Sequence, residues 1–270
     1  MDKYKMICLD IDGTLLNSKH RISPSTKEVI QIVSKEMQIP IILVSARMPK
    51  GILFLLKELS ISNPIICYSG ALIMDDKTNI LSNVTIPILE LKQVFKLTRE
   101  MGIHISLYKD DEWYVEKIDE WAEQEGIITN MSPIIMSFTD LFDLWEKEDS
   151  GPNKILCMAN QNELETLNAK IKDYNSNNLN IYFSKPTYLE MMPNNASKTS
   201  AIKVLCEKYG VQRPEVIAIG DNYNDINMIE FAGLGIAMGN APNEVKQYAD
   251  YITLSNDEDG VAEAIKKYIL

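Results

Sequence analysis

Two aspartates close the first apolar stretch of the chain. Asp10 and Asp12 follow the strand-like run 5–9, and Gly13 then permits a tight turn. Residues i and i+2 of an extended chain face the same side, which predicts that both carboxylates lie together at the carboxyl end of a strand. Such acids repel each other, so one pKa should rise unless a cation lies between them. This pattern suits one acid that attacks beside a divalent metal and one that transfers a proton. An ordinary Asp-Gly turn is the alternative.

A second acidic group follows another apolar run. Asp221 comes directly after the strand-like run 215–219 and Gly220, and Asn224 and Asp225 follow it. Asp221 is a candidate third metal ligand with Asp10 and Asp12, in an oxygen-rich site of the kind that Mg²⁺ prefers. For part of this segment the alternative is an acidic first turn that stabilises its own helix dipole.

Two further side chains are candidates for phosphate binding. Ser45 follows the apolar run 39–44, where a hydroxyl and backbone N–H groups entering a helix can cradle a phosphate. Lys198 begins a predicted helix, where a cation opposes the helix dipole, so an anionic partner is indicated. For each residue taken alone, a helix-capping serine and a surface lysine are the more common explanations.

Alternating strands and helices are needed to bring these residues together. The runs 5–9, 39–44 and 64–68 read as buried strands, separated by helices, and the same alternation resumes after residue 199. Continuous apolar strands of this kind predict an α/β fold with a parallel sheet covered on both faces. A helix is expected to begin at Ser23–Pro24, and another to end at Gly210.

The middle of the chain has a different pattern of predicted strands and helices. A hairpin around Asp110–Asp111, further strand-like runs and a helix over 162–174 indicate an inserted α+β domain with an antiparallel sheet. Residues 176–180 read as a turn-rich loop. We therefore expect one domain from residues 1–83 plus 189–270, and a second from residues 84–188.

Composition excludes several classes of protein. The net charge of -11 argues against non-specific binding to nucleic acid or to an anionic membrane. The four cysteines lie far apart without metal-binding spacing, which indicates reduced, buried thiols. No signal peptide precedes the first strand, and no apolar run approaches the ~20 residues of a membrane span. These features predict a cytoplasmic protein.

Taken together, the motifs resemble those of the haloacid dehalogenase (HAD) superfamily, specifically its Cof-like phosphatases with a type IIB cap. They are DIDGTLL at 10–16, Ser45 with Arg47, SGA at 69–71, Lys198, GDNYNDINM at 220–228 and GIAMGNA at 235–241. The likeness spans the whole chain, and the order and spacing of the acidic motifs are highly specific. It implies a Rossmann-like core with an inserted cap domain of the C2B type over residues 84–188.

The resemblance also implies a role for each motif. Asp10 would be the nucleophile of a phospho-aspartyl intermediate, and Asp12 would protonate the leaving alcohol and then activate water. Mg²⁺ would be held by Asp10, the Asp12 backbone carbonyl and Asp221, with Asp225 in support. The residues expected to bind the phosphoryl group are Ile11, Ser45, Ala46, Lys198 and Asn224.

Three departures from the family pattern leave these catalytic groups intact. The usual Thr-Gly-Arg is Ser45-Ala46-Arg47, and the usual Asn-Gly after the third strand is Ser69-Gly70. The usual glycines around Lys198 are replaced by Asn195 and Thr199. The departures concern loop geometry and substrate choice rather than the class of reaction.

The activity implied is that of a Mg²⁺-dependent phosphatase acting on small phosphomonoesters. Sugar phosphates are the first expectation, and phosphorylated cofactors such as pyridoxal phosphate (PLP) or flavin mononucleotide (FMN) the second. A phosphotransferase of the phosphomannomutase type shares the core motifs and remains open. A catalytically silent phosphosugar-binding protein also remains open, although the intact Asp10 and Asp12 argue against it. The only partner expected is a small phosphorylated substrate, with no nucleic acid or membrane, for a monomer or small homo-oligomer.

Overall fold

The computed structural model describes residues 3–173 and 178–270, which divide into two compact units. The first unit runs to Ser82 and resumes at Ser197, and the second comprises Asn83–Ala196. The first division lies one residue from the boundary expected after residue 83. The second division follows Ala196, whereas the sequence led us to expect a return to the first unit at residue 189.

The strands form two sheets, one centred in each unit. In chain order they are β1 (Met6–Asp10), β2 (Ile41–Val44), β3 (Ile65–Cys67), β4 (Leu72–Met74), β5 (Ile80–Asn83), β6 (His104–Lys109), β7 (Glu112–Val115), β8 (Ile134–Ile135), β9 (Lys154–Met158), β10 (Leu179–Lys185), β11 (Tyr188–Pro193), β12 (Val216–Gly220), β13 (Leu234–Ala237) and β14 (Tyr251–Ile252).

The helices connect these strands and cover the sheets. They are α1 (Pro24–Gln31), α2 (Lys50–Leu59), α3 (Ile88–Met101), α4 (Glu120–Thr129), α5 (Phe138–Lys147), α6 (Gln161–Asp173), α7 (Lys198–Tyr209), α8 (Ile226–Phe231), α9 (Asn243–Lys246) and α10 (Gly260–Tyr268). The Ser23 side chain caps α1 by accepting a hydrogen bond from the Thr26 N–H at 3.1 Å, and Gly210 ends α7 in the left-handed conformation. Both helix boundaries predicted from the sequence are confirmed.

The sheet of the first unit has the order β14-β13-β12-β1-β2-β3-β4-β5. The strands from β14 to β3 are parallel to their neighbours, and β4 turns back antiparallel to β3. In β1, Leu9 is aligned with Ile219 of β12, and Asp10 with Val44 of β2. This register brings the residues that follow β1, β2 and β12 to one edge of the sheet, which is where ligands of open α/β sheets bind.

Both faces of this parallel sheet are buried. On one face Met6 and Cys8 of β1 pack with residues of α7 and α8, such as Leu205. The alternate residues of β1, Ile7 and Leu9, are also fully buried. Burial on both faces explains why the strands read as continuous apolar runs, and the predicted α/β fold is confirmed.

The second unit contains a six-stranded sheet in the order β10-β11-β9-β6-β7-β8. Its strand pairs are antiparallel, apart from the short parallel pair of β7 with β8. Helices α3, α5 and α6 pack on one face through a core that includes Phe138 and Trp145. The predicted α+β insert and its hairpin at Asp110 are thereby confirmed.

Strand β11 explains the misplaced boundary. Leu189 is paired with Cys157 of β9 and with Phe183 of β10, so β11 completes the sheet of the second unit. The sequence did not reveal this because all six residues of β11 are buried, as in a strand of the parallel sheet. Of the predicted loop 176–180, residues 176 and 177 lie outside the described residues, as does residue 174 of the predicted helix 162–174. The last two residues of that loop, Leu179 and Asn180, begin β10, so the prediction is wrong there.

Two expectations from composition are tested by burial and helix length. All four cysteine side chains are buried, as expected. Over residues 3–173 and 178–270, every helix is too short or too polar to cross a bilayer.

Candidate active site

Asp10 is the last residue of β1, and only 7% of its surface is exposed. Its Oδ1 atom lies 2.5 Å from the Nζ atom of Lys198. The pKa of the Asp10 carboxyl is raised well above its usual range, mainly by burial and then by the negative charge of Asp225. Lys198 acts in the opposite direction. The site therefore disfavours the ionised form of Asp10 unless further positive charge is supplied.

Lys198 is the first residue of α7 and is 3% exposed. Its ammonium group also donates to Oδ1 of Asp225 at 2.5 Å, so it bridges two carboxylates. Burial opposes the charged form, but the attraction of Asp10 and Asp225 prevails and raises the pKa of Lys198. Two carboxylates therefore face this lysine, and the surface-lysine alternative is wrong. Its contact with a phosphoryl group stays a prediction.

Asp225 and Asp221 come from the segment after β12. Asp225 is fully buried, and its Oδ2 atom accepts hydrogen bonds from the backbone N–H groups of Asp221 and Asn222, both at 3.0 Å. The Asp221 carboxylate accepts a hydrogen bond from the Thr14 hydroxyl at 3.0 Å. Burial, followed by the charge of Asp225, raises the pKa of Asp221 to about 6.

Three of these acids form a donor set for a cation. Asp10, Asp221 and Asp225 present carboxylate oxygens that all lie within 4.8 Å of one another. Hard divalent cations prefer oxygen ligands of this kind, and a cation would offset the burial and the repulsion that raise the pKa values of Asp10 and Asp221. The residues present therefore fit a divalent metal. The prediction that the side chains of Asp10 and Asp221 come together is confirmed.

Asp12 does not join this set through its side chain. Its carboxylate accepts two hydrogen bonds from Arg47, from Nε at 2.8 Å and from a terminal nitrogen at 2.5 Å. The extended conformation ends at Asp10, and a turn closed by the Leu15 N–H bonding the Asp10 carbonyl follows. The expectation that the carboxylates of Asp10 and Asp12 share one cation is therefore wrong. A metal contact through the Asp12 backbone carbonyl stays a prediction.

The predicted phosphate-binding residues are brought together only in part. Ser45 is buried at the end of β2, and its hydroxyl accepts a hydrogen bond from the Arg47 N–H at 3.2 Å. It caps no helix, since α2 begins at Lys50, so the alternative for this serine is wrong. Ile11 is fully buried, Ala46 is half-buried, and Asn224 is exposed on a 3₁₀ turn. Their contacts with a phosphoryl group stay predictions.

The sequence analysis did not identify three residues whose side chains hydrogen-bond the acids of the site or the turn beside them. Arg47 fixes Asp12, and Thr14 fixes Asp221. Asn240 donates through Nδ2 to the Gly13 carbonyl at 2.9 Å and to the Asp221 carboxylate at 3.5 Å. Each lies inside a motif already noted, so the motifs marked the right segments, but local spacing did not reveal which long-range partners they meet.

Gly13 is required by a close approach. Its φ is +85°, and a Cβ atom at this position would lie 2.3 Å from Oδ2 of Asp221. The turn after β1 is thus packed directly against the loop after β12, and a side chain would displace a metal-ligand candidate.

A family model supplies the decisive comparison. The model described as haloacid dehalogenase-like hydrolase matches residues 7–265. The chain belongs to this family. It is therefore an enzyme of the hydrolase class, and the resemblance seen in its motifs is confirmed.

Individual relatives of this haloacid dehalogenase-like hydrolase match along almost its whole length. A Haemophilus influenzae protein, provisionally named a phosphatase, is 35% identical, and the match covers 96% of each chain. The crystal structure of a haloacid dehalogenase-like hydrolase from Bacteroides thetaiotaomicron is also 35% identical, with a TM-score of 0.88 and coverage of 98% of this chain and 99% of that one. A sugar phosphatase of HAD subclass IIB is 25% identical, with a TM-score of 0.81 and coverage of 98% of each chain.

Proposed function

We propose that this hydrolase is a Mg²⁺-dependent phosphatase that cleaves small phosphomonoesters through a phosphorylated Asp10. The observation that carries the proposal is the buried cluster in which the Lys198 ammonium lies 2.5 Å from both Asp10 and Asp225. An acid placed at a strand end beside a fixed cation and a metal-ligand set suits nucleophilic attack on phosphorus.

The reaction takes place in two steps on the side chains of the first unit. An Asp10 oxygen forms a bond to phosphorus while the bond from phosphorus to the alcohol oxygen breaks, and Asp12 gives its proton to that oxygen. Water then attacks the phosphorus of the acyl phosphate, Asp12 takes a proton from the water, and inorganic phosphate leaves with Asp10 regenerated.

Charge neutralisation is supplied by groups already at the strand ends. Mg²⁺ bound by Asp10, Asp221 and Asp225, together with the Asp12 carbonyl, would supply positive charge for the ionised nucleophile and the phosphoryl oxygens. Lys198, Ser45 and the backbone at Ile11 and Ala46 bind the same oxygens, joined by Asn224. Arg47 holds both oxygens of the ionised Asp12, the form that takes the proton from water in the second step. Asp12 releases one of these bonds when it carries the proton that it gives to the leaving alcohol.

The substrate class we propose is sugar phosphates, with phosphorylated cofactors second. This choice is supported by the related structure that is named a sugar phosphatase of subclass IIB. We assign selection of the leaving group to the second unit, as the cap that the motifs imply. Since the reaction ends with water, one inorganic phosphate per ester cleaved is expected. Transfer to a second sugar would contradict hydrolysis and favour the phosphotransferase alternative.

The proposal is tested with a panel of phosphomonoesters and the Asp10→Asn variant. We expect hydrolysis by the natural protein in Mg²⁺, loss on chelation, and recovery when Mg²⁺ is added. Asp10→Asn should lose nearly all turnover yet keep its circular dichroism spectrum, because the carboxylate supplies attack rather than packing. Asp76→Asn, at an exposed acid of the same unit, is the matched control and should retain activity. Activity in Asp10→Asn, or without metal, would contradict the mechanism.

A further inference from the structure

Two hydroxyl groups of the first unit are buried without a hydrogen-bond partner. Among the described residues, Oγ of Ser69 and Oγ1 of Thr199 have no donor or acceptor within reach. A buried polar atom without a hydrogen-bond partner destabilises the folded state, so the presence of two such atoms needs an explanation. Thr199 directly follows the phosphate-binding candidate Lys198, and the backbone of Ser69 is hydrogen-bonded to the segment of Ser45, another candidate, which points to a role in the site.

The turn that carries Ser69 is bonded to the Ser45 segment. The N–H of Ser69 donates to the Ser45 carbonyl at 2.8 Å, and the N–H of Tyr68 donates to the Arg47 carbonyl at 3.1 Å. The backbone of Ser69 is therefore fixed next to Ser45, one of the residues assigned to the phosphoryl group.

The same turn has an unusual backbone conformation. Tyr68 and Ser69 have φ values of +49° and +53°, so two consecutive residues with side chains occupy the left-handed region. This conformation is costly for such residues and persists where surrounding contacts enforce it, often at functional sites. The two backbone bonds to the Ser45 segment are contacts of this kind.

Thr199 reaches the same region from α7. It directly follows Lys198, and a Cβ atom on Gly70 would lie 2.1 Å from the carbonyl oxygen of Ser197. The turn of Ser69 is thus packed against the start of α7. The two unpaired hydroxyls lie on segments that adjoin Ser45 and Lys198.

From this juxtaposition we propose that Ser69 and Thr199 donate hydrogen bonds to the phosphoryl oxygens of the substrate, an inference that rests on the proposed function. Rotation about the Cα–Cβ bond turns each hydroxyl from its buried position toward the ligand, which supplies the missing acceptor. Both residues are departures from the family pattern, which has Asn and Gly at these positions. The hydroxyl pair is therefore a feature of this chain that extends its phosphate pocket.

Three variants test this assignment: Ser69→Ala, Thr199→Val and the double variant, all with Mg²⁺ present. The probes are p-nitrophenyl phosphate as substrate and inorganic phosphate as inhibitor. Since a hydrogen bond to a charged group contributes more than a neutral one, each single variant should lower kcat/KM roughly tenfold and weaken inhibition by phosphate by a similar factor. The melting temperature should stay equal or rise, because an unpaired buried hydroxyl has been removed.

Two further variants separate a ligand contact from a structural role. Asn168→Ala removes an unpaired buried amide oxygen in the second unit and should leave phosphate inhibition unchanged. Ser69→Gly keeps both backbone bonds and relieves the left-handed strain, so it should melt at a higher temperature yet lose phosphate affinity as Ser69→Ala does.

The outcomes distinguish failure of the inference from failure of the proposed function. An active natural enzyme whose double variant keeps its phosphate inhibition constant overturns the role of the hydroxyls and leaves the phosphatase intact. A lower melting temperature in the double variant, with unchanged kinetics, assigns the hydroxyls to packing and also overturns it. A natural protein that neither hydrolyses the ester nor binds phosphate overturns both proposals.

Discussion

Lys198 and Asp10, separated by 188 residues in the chain, form a buried ion pair with 2.5 Å between Nζ and Oδ1. The same Nζ atom bonds Asp225, so one ammonium group holds two buried carboxylates. Two buried acids beside a single cation retain an excess of negative charge, which a divalent metal can offset. The pair therefore links the stability of the first unit to the metal that the site is suited to bind.

The first prediction concerns the removal of this cation. Lys198→Met leaves Asp10 and Asp225 buried without their partner, so the free energy of unfolding should fall by about 3–5 kcal/mol. Denaturant titration without metal measures this loss, and Mg²⁺ should recover part of it. Lys5→Met is the control, because Lys5 pairs with Glu215 at 2.5 Å on the surface, and should lose at most about 1 kcal/mol. Equal losses in both variants would contradict the role assigned to Lys198.

The second prediction concerns the pairing of Arg47 with Asp12. Arg47→Met frees the Asp12 carboxylate, and kcat should fall about tenfold or more, with the about 10²–10⁴ that general acid–base catalysis contributes as the upper bound. Stability should change by less than about 1 kcal/mol, since the Asp12 side chain is 52% exposed. Steady-state kinetics and thermal melts measure the two effects. Lys92→Met breaks an exposed pair with Glu146 in the second unit and should keep its kcat. An unchanged kcat in Arg47→Met would remove Arg47 from the mechanism.

The third prediction concerns pH. The pKa of Asp221 is about 6 in the folded protein, against an ordinary value of 3.8, because of burial and the charge of Asp225. Between these values the folded state keeps a proton that the unfolded chain releases, so this group makes the metal-free protein less stable as pH rises through the window.

Thermal melts of the natural protein and of Asp221→Asn, taken between about pH 4 and about pH 7, isolate this contribution. The melting temperature of the natural protein should fall with rising pH relative to that of the variant. Mg²⁺ favours the ionised carboxylate and should reduce the difference. Parallel curves for the two proteins without metal would show that the folded environment does not perturb Asp221.

The fourth prediction concerns the close approach at Gly13. Gly13→Ala combines a strained φ with a Cβ atom 2.3 Å from Oδ2 of Asp221, so it should destabilise the protein and weaken activation by Mg²⁺. Gly102→Ala is the matched control, since Gly102 also has a positive φ, +67°, but has no atom within 4 Å of its Cβ position. The control should lose about 1 kcal/mol from strain alone and keep its metal dependence. Equal Mg²⁺ activation of both variants would contradict the contact with Asp221.

Much of the site could be predicted because its residues sit at ends of strongly apolar strands. The parallel sheet follows from runs such as 39–44, and the approach of Asp10 to Asp221 follows from the carboxyl ends of parallel strands meeting at one edge. The start of α1 at Ser23–Pro24 also follows from local chemistry, since a capping side chain needs only its own first turn.

Two features could not be predicted in this way: the partner of the Asp12 side chain, and the sheet to which β11 belongs. The alternation of a strand predicts which side chains point the same way only while the chain stays extended. The turn after Asp10 directs the Asp12 side chain toward Arg47, which is 35 residues away. The strand Tyr188–Pro193 is buried on both faces, and burial alone does not say which sheet encloses it.

The sequence by itself determined the parallel strands of the core, the acids and the lysine that meet there, and the family. Only the tertiary structure decided which carboxylates face each other, which hydroxyls are left without partners, and where the second unit ends. The physical reason is range: strand and helix patterns are set by neighbours a few residues apart. A side chain at a strand end takes its direction from loops and helices that folding brings from distant parts of the chain.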